Sequence, residues 1–194
     1  MVCESFEEIE TINDLAESND KRVNLLLRIN PEFSAKSALL KMGGKPSQFG
    51  IDEPQAPKAL KQILASQNLN LLGIHIYNGT RILNAETIIE NTSHVLEYAS
   101  KLQQDLGVTF QVVDFGGGAG VPYFPNEKKL DMDVLEHGLR PIIAKYLTKY
   151  PQTKLIMESG RYLVGPSGRL VLQTHSIKMS KGEKFISLEE SKVI

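Results

Sequence analysis

The stretch "VVDFGGGAGVPYF", residues 112–124, decides how the chain is read. Two valines, an aspartate and a phenylalanine run into Gly116, Gly117 and Gly118, and Gly120 follows after one alanine. The apolar part has the length of a buried strand. Glycines at its end let successive amides turn inward and form a positively polarised hollow suited to phosphate oxygens. A helix start nearby would strengthen that field. A tight strand-to-helix turn would need the same glycines, and the glycines alone do not separate the two readings. A dinucleotide fingerprint does not fit, because the spacing from Gly116 puts Val121 where the last glycine belongs.

Outward from this stretch the apolar pattern alternates between two periods. "SFEEIETINDLAES" places Glu8 three residues after Ser5, a capping-box spacing, with Ile9, Ile12, Leu15 and Ala16 on one helical face. "VNLLLRIN" (23–30) reads as a strand stopped by Pro31. Asp52 and Pro54 open a helix to about Ser66, and "NLLGIHIY" (70–77) is the next strand. Asn84 caps a helix carrying Ile88, Ile89, Val95, Leu96, Ala99 and Leu102, which Gly107 ends. "TFQVVDF" (109–115), a helix over 133–150 and the strand "KLIMES" (154–159) complete the alternation, and "MVCE" holds a possible first strand. Strands alternating with helices predict a parallel sheet covered by helices. From Gly168 the pattern changes to strand, Lys-Gly turn, strand. Five β/α units make neither a complete eight-stranded barrel nor an evidently finished doubly wound sheet.

A formal net charge of −1 with no long run of like charge excludes a nucleic-acid or membrane surface, and leaves a small molecule or another protein as partner. The single cysteine, Cys3, rules out an intrachain disulfide framework and suits a reducing cytoplasm. It reads as a strand thiol packing inward. The acidic N-terminus lacks the features of a signal peptide, and no apolar run reaches membrane-spanning length. The expected location is cytoplasmic.

Ligands of parallel α/β proteins sit at the C-terminal ends of strands. Four such ends carry signals here: Arg28 and Asn30; His75, Tyr77, Asn78, Gly79, Thr80 and Arg81; Asp114 and Gly116 to Gly118; Glu158, Gly160 and Arg161. Glu158 follows three apolar residues, so its carboxylate is expected at a dry strand end, where it needs a partner. Arg161 is the candidate for a plain ion pair. Alternatively, Glu158 binds a protonated ring nitrogen while Arg161 helps with a phosphate. His75 and Tyr77 share one strand face. An isolated histidine on an apolar strand is more often a satisfied core residue than a catalyst, whereas Tyr77 offers a flat face for stacking. Arg28 is either a buried ion-pair member or part of a ligand frame. His94 and Met42 read as helix and loop positions, and no metal site is expected.

Taken in order, "LLLRINP", "KMGGKPSQFGI", "GIHIYNGT", "VVDFGGGAGVPY" and "ESGRYLVGPSG" resemble the fold-type III pyridoxal-phosphate decarboxylases, the diaminopimelate, ornithine and arginine decarboxylase group. The match runs over residues 2–186, and "GGGAGVPYF" looks closest to decarboxylases acting on carrier-linked or citryl-linked amino acids in antibiotic and siderophore pathways. The resemblance implies an α/β fold: a partial (β/α)8 TIM barrel, alanine racemase-like, over residues 1–166, then the start of a C-terminal β-domain at 167–194. It implies pyridoxal 5'-phosphate as cofactor, a small amino-acid substrate and, for the full-length family, a homodimer. Gly116, Gly117, Gly118, Gly160, Arg161 and Thr80 would hold the phosphate, and Glu158 would face the pyridine nitrogen. Tyr77 falls where many relatives stack a histidine on the ring, and Arg28 falls on the family's strand-end arginine. His75 is a possible catalytic group.

The departures are specific. The family's Schiff-base lysine lies on the first barrel strand in a Lys-x-Asn setting, and no Lys-x-Asn occurs in this sequence. Gln48 stands where "KFG" is usual, and Ser159 where "EPGR" is usual. "CES" at 3–5 matches a C-terminal family motif, but its context is the fourth barrel strand, so the match reads as coincidence. The chain therefore reads as the middle of such an enzyme, without the first three strands and with the β-domain cut short. Two open sheet edges are expected to leave it weakly stable alone, or associated. Three functions follow: a pyridoxal-phosphate-dependent amino-acid decarboxylase homologue, an inactive fragment holding the cofactor or phosphate noncovalently, and a pyridoxal-phosphate-dependent racemase relative. "ESGR" with the triple glycine speaks against the racemase.

Overall fold

The computed structural model describes residues 1–33, 40–41 and 46–189; Met42 and part of "KMGGKPSQFGI" lie outside the described residues. β1 (Val2–Cys3) leads into α1 (Phe6–Ser18) and β2 (Val23–Asn30). The short strands β3 (Leu40–Lys41) and β4 (Ile51–Asp52) precede a 3-10 turn at Glu53–Gln55 and α2 (Ala56–Ala65). β5 (Leu69–His75), β6 (Gly79–Thr80) and α3 (Ala85–Leu106) come next, then β7 (Val112–Gly117) and α4 (Met132–Lys149). β8 (Lys154–Glu158), α5 (Arg161–Val164) and the hairpin strands β9 (Thr174–Ser180) and β10 (Glu183–Leu188) follow.

The helix starts follow from their caps. Ser5 accepts the Glu8 N–H at 3.0 Å, and Asn84 accepts the Thr87 N–H at 2.8 Å, as the spacing predicts. α4 begins one residue early because Asp131 caps it, accepting the N–H groups of Asp133 and Val134.

The main sheet runs β1-β2-β5-β7-β8, parallel throughout and in chain order, with β4 beside β2. A doubly wound sheet reverses its direction of growth; this one does not. Each unit lays its strand on the same side of the previous one, which is the wall of a (β/α) barrel. One core shows that the helices share a face. Leu25, Leu27, Ile29, Ile74 and Val113 from the strands, with Ile76 just after β5, meet Ile9 of α1, Leu60 and Ile63 of α2, Val95 and Leu102 of α3 and Tyr146 of α4. Each buried aliphatic side chain of this kind contributes about 1.5–3 kcal/mol. Cys3 packs inward as expected, its thiol on the Leu26 carbonyl, and burial pushes its pKa up to about 11. Leu15 departs from the expected apolar face of α1 and is 59% exposed, while Ile9 and Ala16 make the buried contact.

β9 and β10 form the expected antiparallel hairpin about Lys181 and Gly182. Both of its faces are exposed. No helix among the described residues is long and apolar enough to cross a membrane.

Candidate functional site

Four strands bring the site together on the sheet face opposite the helices. Arg28 of β2 is in register with His75 of β5, His75 with Asp114 of β7, and Asp114 with Ile156 of β8. Residues facing one another on neighbouring strands project to the same side, as do residues two apart. Arg28, His75, Asp114 and Glu158 therefore share that face. The register slips between β7 and β8, where Gly117 pairs with Glu158, so β7 spends one extra residue beside the site.

The glycines answer to this geometry. A Cβ on Gly117 would lie 1.6 Å from the Glu158 carbonyl oxygen. Gly118 has φ +97°, and a Cβ there would lie 2.3 Å from the Gly79 oxygen. The backbones of three strand ends thus touch where side chains would hold them apart. The turn reading of the glycines holds, and it creates the hollow that the ligand reading needs.

That hollow is a cavity of about 290 Å³. Tyr77 and Thr80 line it from the end of β5 and from β6, Gly118 and Ala119 from the loop after β7, and Glu158, Gly160 and Arg161 from the end of β8. Six of the residues singled out from the sequence meet here. Gly116, Gly117 and Arg28 do not line it. Gly116 donates its N–H to Asp114 at 3.0 Å, and Gly117 backs onto Glu158. Arg28 is an ion-pair member: its guanidinium donates to Glu4 at 2.5 Å and lies 4.7 Å over the Phe49 ring.

Glu158 differs from its expected setting in two ways. Its side chain is 46% exposed rather than dry, because β8 is an edge strand paired only with β7 among the described residues. Its charged neighbour is His75, with Nε2 3.7 Å from Oε2, rather than Arg161, whose guanidinium donates to the Tyr123 hydroxyl at 3.3 Å. Asp114 lies in the same cluster: His75, Asp114 and Glu158 offer atoms within 4.8 Å of one another, residue types that can also hold a metal ion. Burial raises the Asp114 pKa above its ordinary value, the Gly116 N–H and then His75 pull it back, and Glu158 pushes it up again.

Sequence reasoning missed a clamp on the rim. Arg81, with φ +58°, donates to both oxygens of Glu127 at 2.5 and 2.6 Å and lies 3.9 Å over the Tyr123 ring. Glu127 also accepts the N–H groups of Tyr123 and Phe124. The Tyr123 N–H foremost, then those of Phe124 and the Arg81 guanidinium, outweigh burial and hold its carboxyl below the ordinary range. The clamp ties the "GVPYF" segment to Arg81, just after β6, and a second cavity of about 700 Å³ opens beyond Arg161 between this segment and Tyr162. Arg81 stood out as a strand-end cation, but nothing local in the sequence joins it to Glu127. Glu4, at the end of a two-residue strand, was likewise invisible as the partner of Arg28.

Comparison with known proteins fits this geometry. The family model described as "Pyridoxal-dependent decarboxylase, pyridoxal binding domain" matches residues 1–165. The chain is 36% identical over 190 residues to an L-glutamyl-[BtrI acyl-carrier protein] decarboxylase of Niallia circulans, a match covering 97% of this chain and 44% of that protein. It is similar to the crystal structure of diaminopimelate decarboxylase from Methanocaldococcus jannaschii, with a TM-score of 0.81 and 29% identity over 97% of this chain and 44% of that one. The Helicobacter pylori diaminopimelate decarboxylase complexed with L-lysine gives a TM-score of 0.78 at 29% identity, covering 97% of this chain and 46% of that one. The chain thus spans less than half the length of these relatives.

Proposed function

This chain belongs to the pyridoxal-dependent decarboxylase family, through its pyridoxal-binding domain, and on that premise we propose that it forms the cofactor-holding part of an amino-acid decarboxylase. The cavity carries the proposal. Within about 290 Å³ it gathers a carboxylate, an aromatic face, a hydroxyl, a guanidinium and glycine backbone. Pyridoxal phosphate needs each of these: cations and N–H groups for its phosphate, a carboxylate for its ring nitrogen and a flat surface for its ring. The residues present fit the group.

In this reading Thr80, Arg161 and the backbone of Gly116 to Gly118 and Gly160 hold the phosphate. Glu158 accepts a hydrogen bond from the protonated ring nitrogen, and Tyr77 covers one ring face and keeps water from it. Arg28 braces the neighbouring wall through Glu4. When bound, the cofactor supplies a sink for the electron pair left behind as carbon dioxide departs. Residues 1–166 form the barrel domain, and 167–194 open a second, β-rich domain. The substrate is an amino acid or an amino-acid conjugate, and the carrier-linked substrate named for the 36% identical relative supports the conjugate. The assembled enzyme is a cytoplasmic homodimer.

A second reading is noncovalent binding without catalysis. It is favoured by one observation: no described residue lining the cavity is a lysine, and the sequence holds no Lys-x-Asn. Incubation with pyridoxal phosphate, borohydride reduction and mass mapping separates the two. One labelled lysine, with carbon dioxide released from diaminopimelate or a glutamyl conjugate, supports the decarboxylase. Saturable binding without label supports the second reading, and no saturable binding sinks both.

A further inference from the structure

His75 and Asp114 stand directly behind the cavity without lining it, on the face from which Glu158 projects. The His75 side chain is only 9% exposed, and neither ring nitrogen has a hydrogen-bond partner. A buried imidazole in that state has lost water without gaining a hydrogen bond, whereas an aliphatic residue would fill the space without that cost. The residue type therefore points to a polar use realised only when the site is filled. The groups it could serve are carboxylates. Glu158 Oε2 is 3.7 Å from His75 Nε2, about 0.5 Å beyond hydrogen-bond range, and Glu158 sits on a strand that pairs on one edge alone among the described residues. Asp114 is held: the Gly116 N–H grips its Oδ1 at 3.0 Å.

Other charges near the cluster are committed elsewhere. Arg28, in register with His75, pairs with Glu4 at 2.5 Å, and Arg161 donates to Tyr123 at 3.3 Å. Among the described residues, no lysine or arginine lies within ion-pair distance of Glu158. Among the described residues, the ion pair within reach of Glu158 is with His75.

We propose that Asp114 and His75 form a strut behind Glu158: Asp114, fixed by Gly116, orients the imidazole, and His75 Nε2–H donates to Glu158 and aims its carboxylate at the ring nitrogen of bound pyridoxal phosphate. His75 is then a positioning residue, acting through Glu158. The proposal rests on the cofactor reading above and adds the part that fixes its nitrogen contact. It also explains why a histidine ends a largely apolar strand, and why β7 carries an aspartate two residues before its glycines.

The test compares the affinity of the chain for pyridoxal phosphate and for its analogue with carbon in place of the ring nitrogen. His75→Phe is expected to weaken pyridoxal phosphate about tenfold and leave the analogue unchanged. His75→Gln, which keeps a donor, restores most of the difference. In a Glu158→Gln background His75→Phe has no further effect. Equal weakening of both ligands, or effects of the two substitutions that simply add, would show a packing role and overturn the strut. So would a divalent ion that binds the trio and excludes pyridoxal phosphate. Failure of the unaltered chain to bind either ligand would overturn the cofactor reading itself, a different result from loss of discrimination.

Discussion

Leu25, Leu27 and Ile29 of β2, with Ile74 of β5 and Ile76 just after it, are sealed between the sheet and its helices, whereas Leu170, Val171 and Leu172 stand exposed. The two regions are similarly apolar in sequence. They differ in what flanks them. β2 and β5 are paired on both edges, and α1, α2 and α3 cover the same face. Leu170 to Leu172 belong to no strand, and among the described residues β8 pairs only with β7 and the hairpin only with itself. Burial is thus decided by neighbours rather than by the apolar run. The site lies on the seam between the two regimes, with His75 and Asp114 from the enclosed strands and Glu158 from the edge. That seam lets one carboxylate face a ligand while two groups behind it stay fixed.

The contrast can be broken first where the two regimes touch. Gly117→Ala forces a methyl to within 1.6 Å of the Glu158 backbone, and β7 and β8 must part. A loss of about 3 kcal/mol or more in urea denaturation is expected. An unchanged midpoint would mean that β8 does not pack against Gly117. Within the enclosed region, Ile74→Ala should cost about 2–5 kcal/mol by the same measurement, because the cavity it leaves has packed walls.

Asp114→Asn gives a smaller effect that depends on pH. Burial raises the folded Asp114 pKa above its ordinary 3.8, so the protonated form is favoured in the fold. The stability this contributes is complete below that ordinary value and is lost as pH rises through the folded one. The asparagine keeps the acceptor for Gly116 and removes the buried charge. Its melting temperature should exceed that of the parent chain at neutral pH, and the gain should vanish in acid. A less stable variant at neutral pH would show that His75 already compensates the charge. Least of all, Ile177→Ser on the exposed hairpin should change stability by no more than about 0.5 kcal/mol. A larger loss would reveal that this face is covered in solution.

Much of the fold was legible because its signals are local. Ser5 and Asn84 announce their helices through contacts three residues away, and "VNLLLRIN" coincides with β2. The strand order was not legible, since barrels and doubly wound sheets share the same alternation and differ only in which strand each new one joins. The start of β7 was misplaced for a related reason. Phe110 is apolar and buried, but its N–H is taken by the Gln103 side chain at 2.7 Å rather than by a neighbouring strand. At the site, residue types at strand ends located the cavity, because those ends must converge in a parallel sheet. Their partners were hidden: the pairing of His75 with Glu158, and of Arg81 with Glu127, spans distant units.

The central claim is that these strand ends form one site for pyridoxal phosphate, and an absorbance titration with that cofactor tests it most directly. Saturable binding of one cofactor per chain is expected, weakened about tenfold or more by Arg161→Gln and by Glu158→Gln. Binding indifferent to both substitutions, or no saturable binding at all, would contradict it.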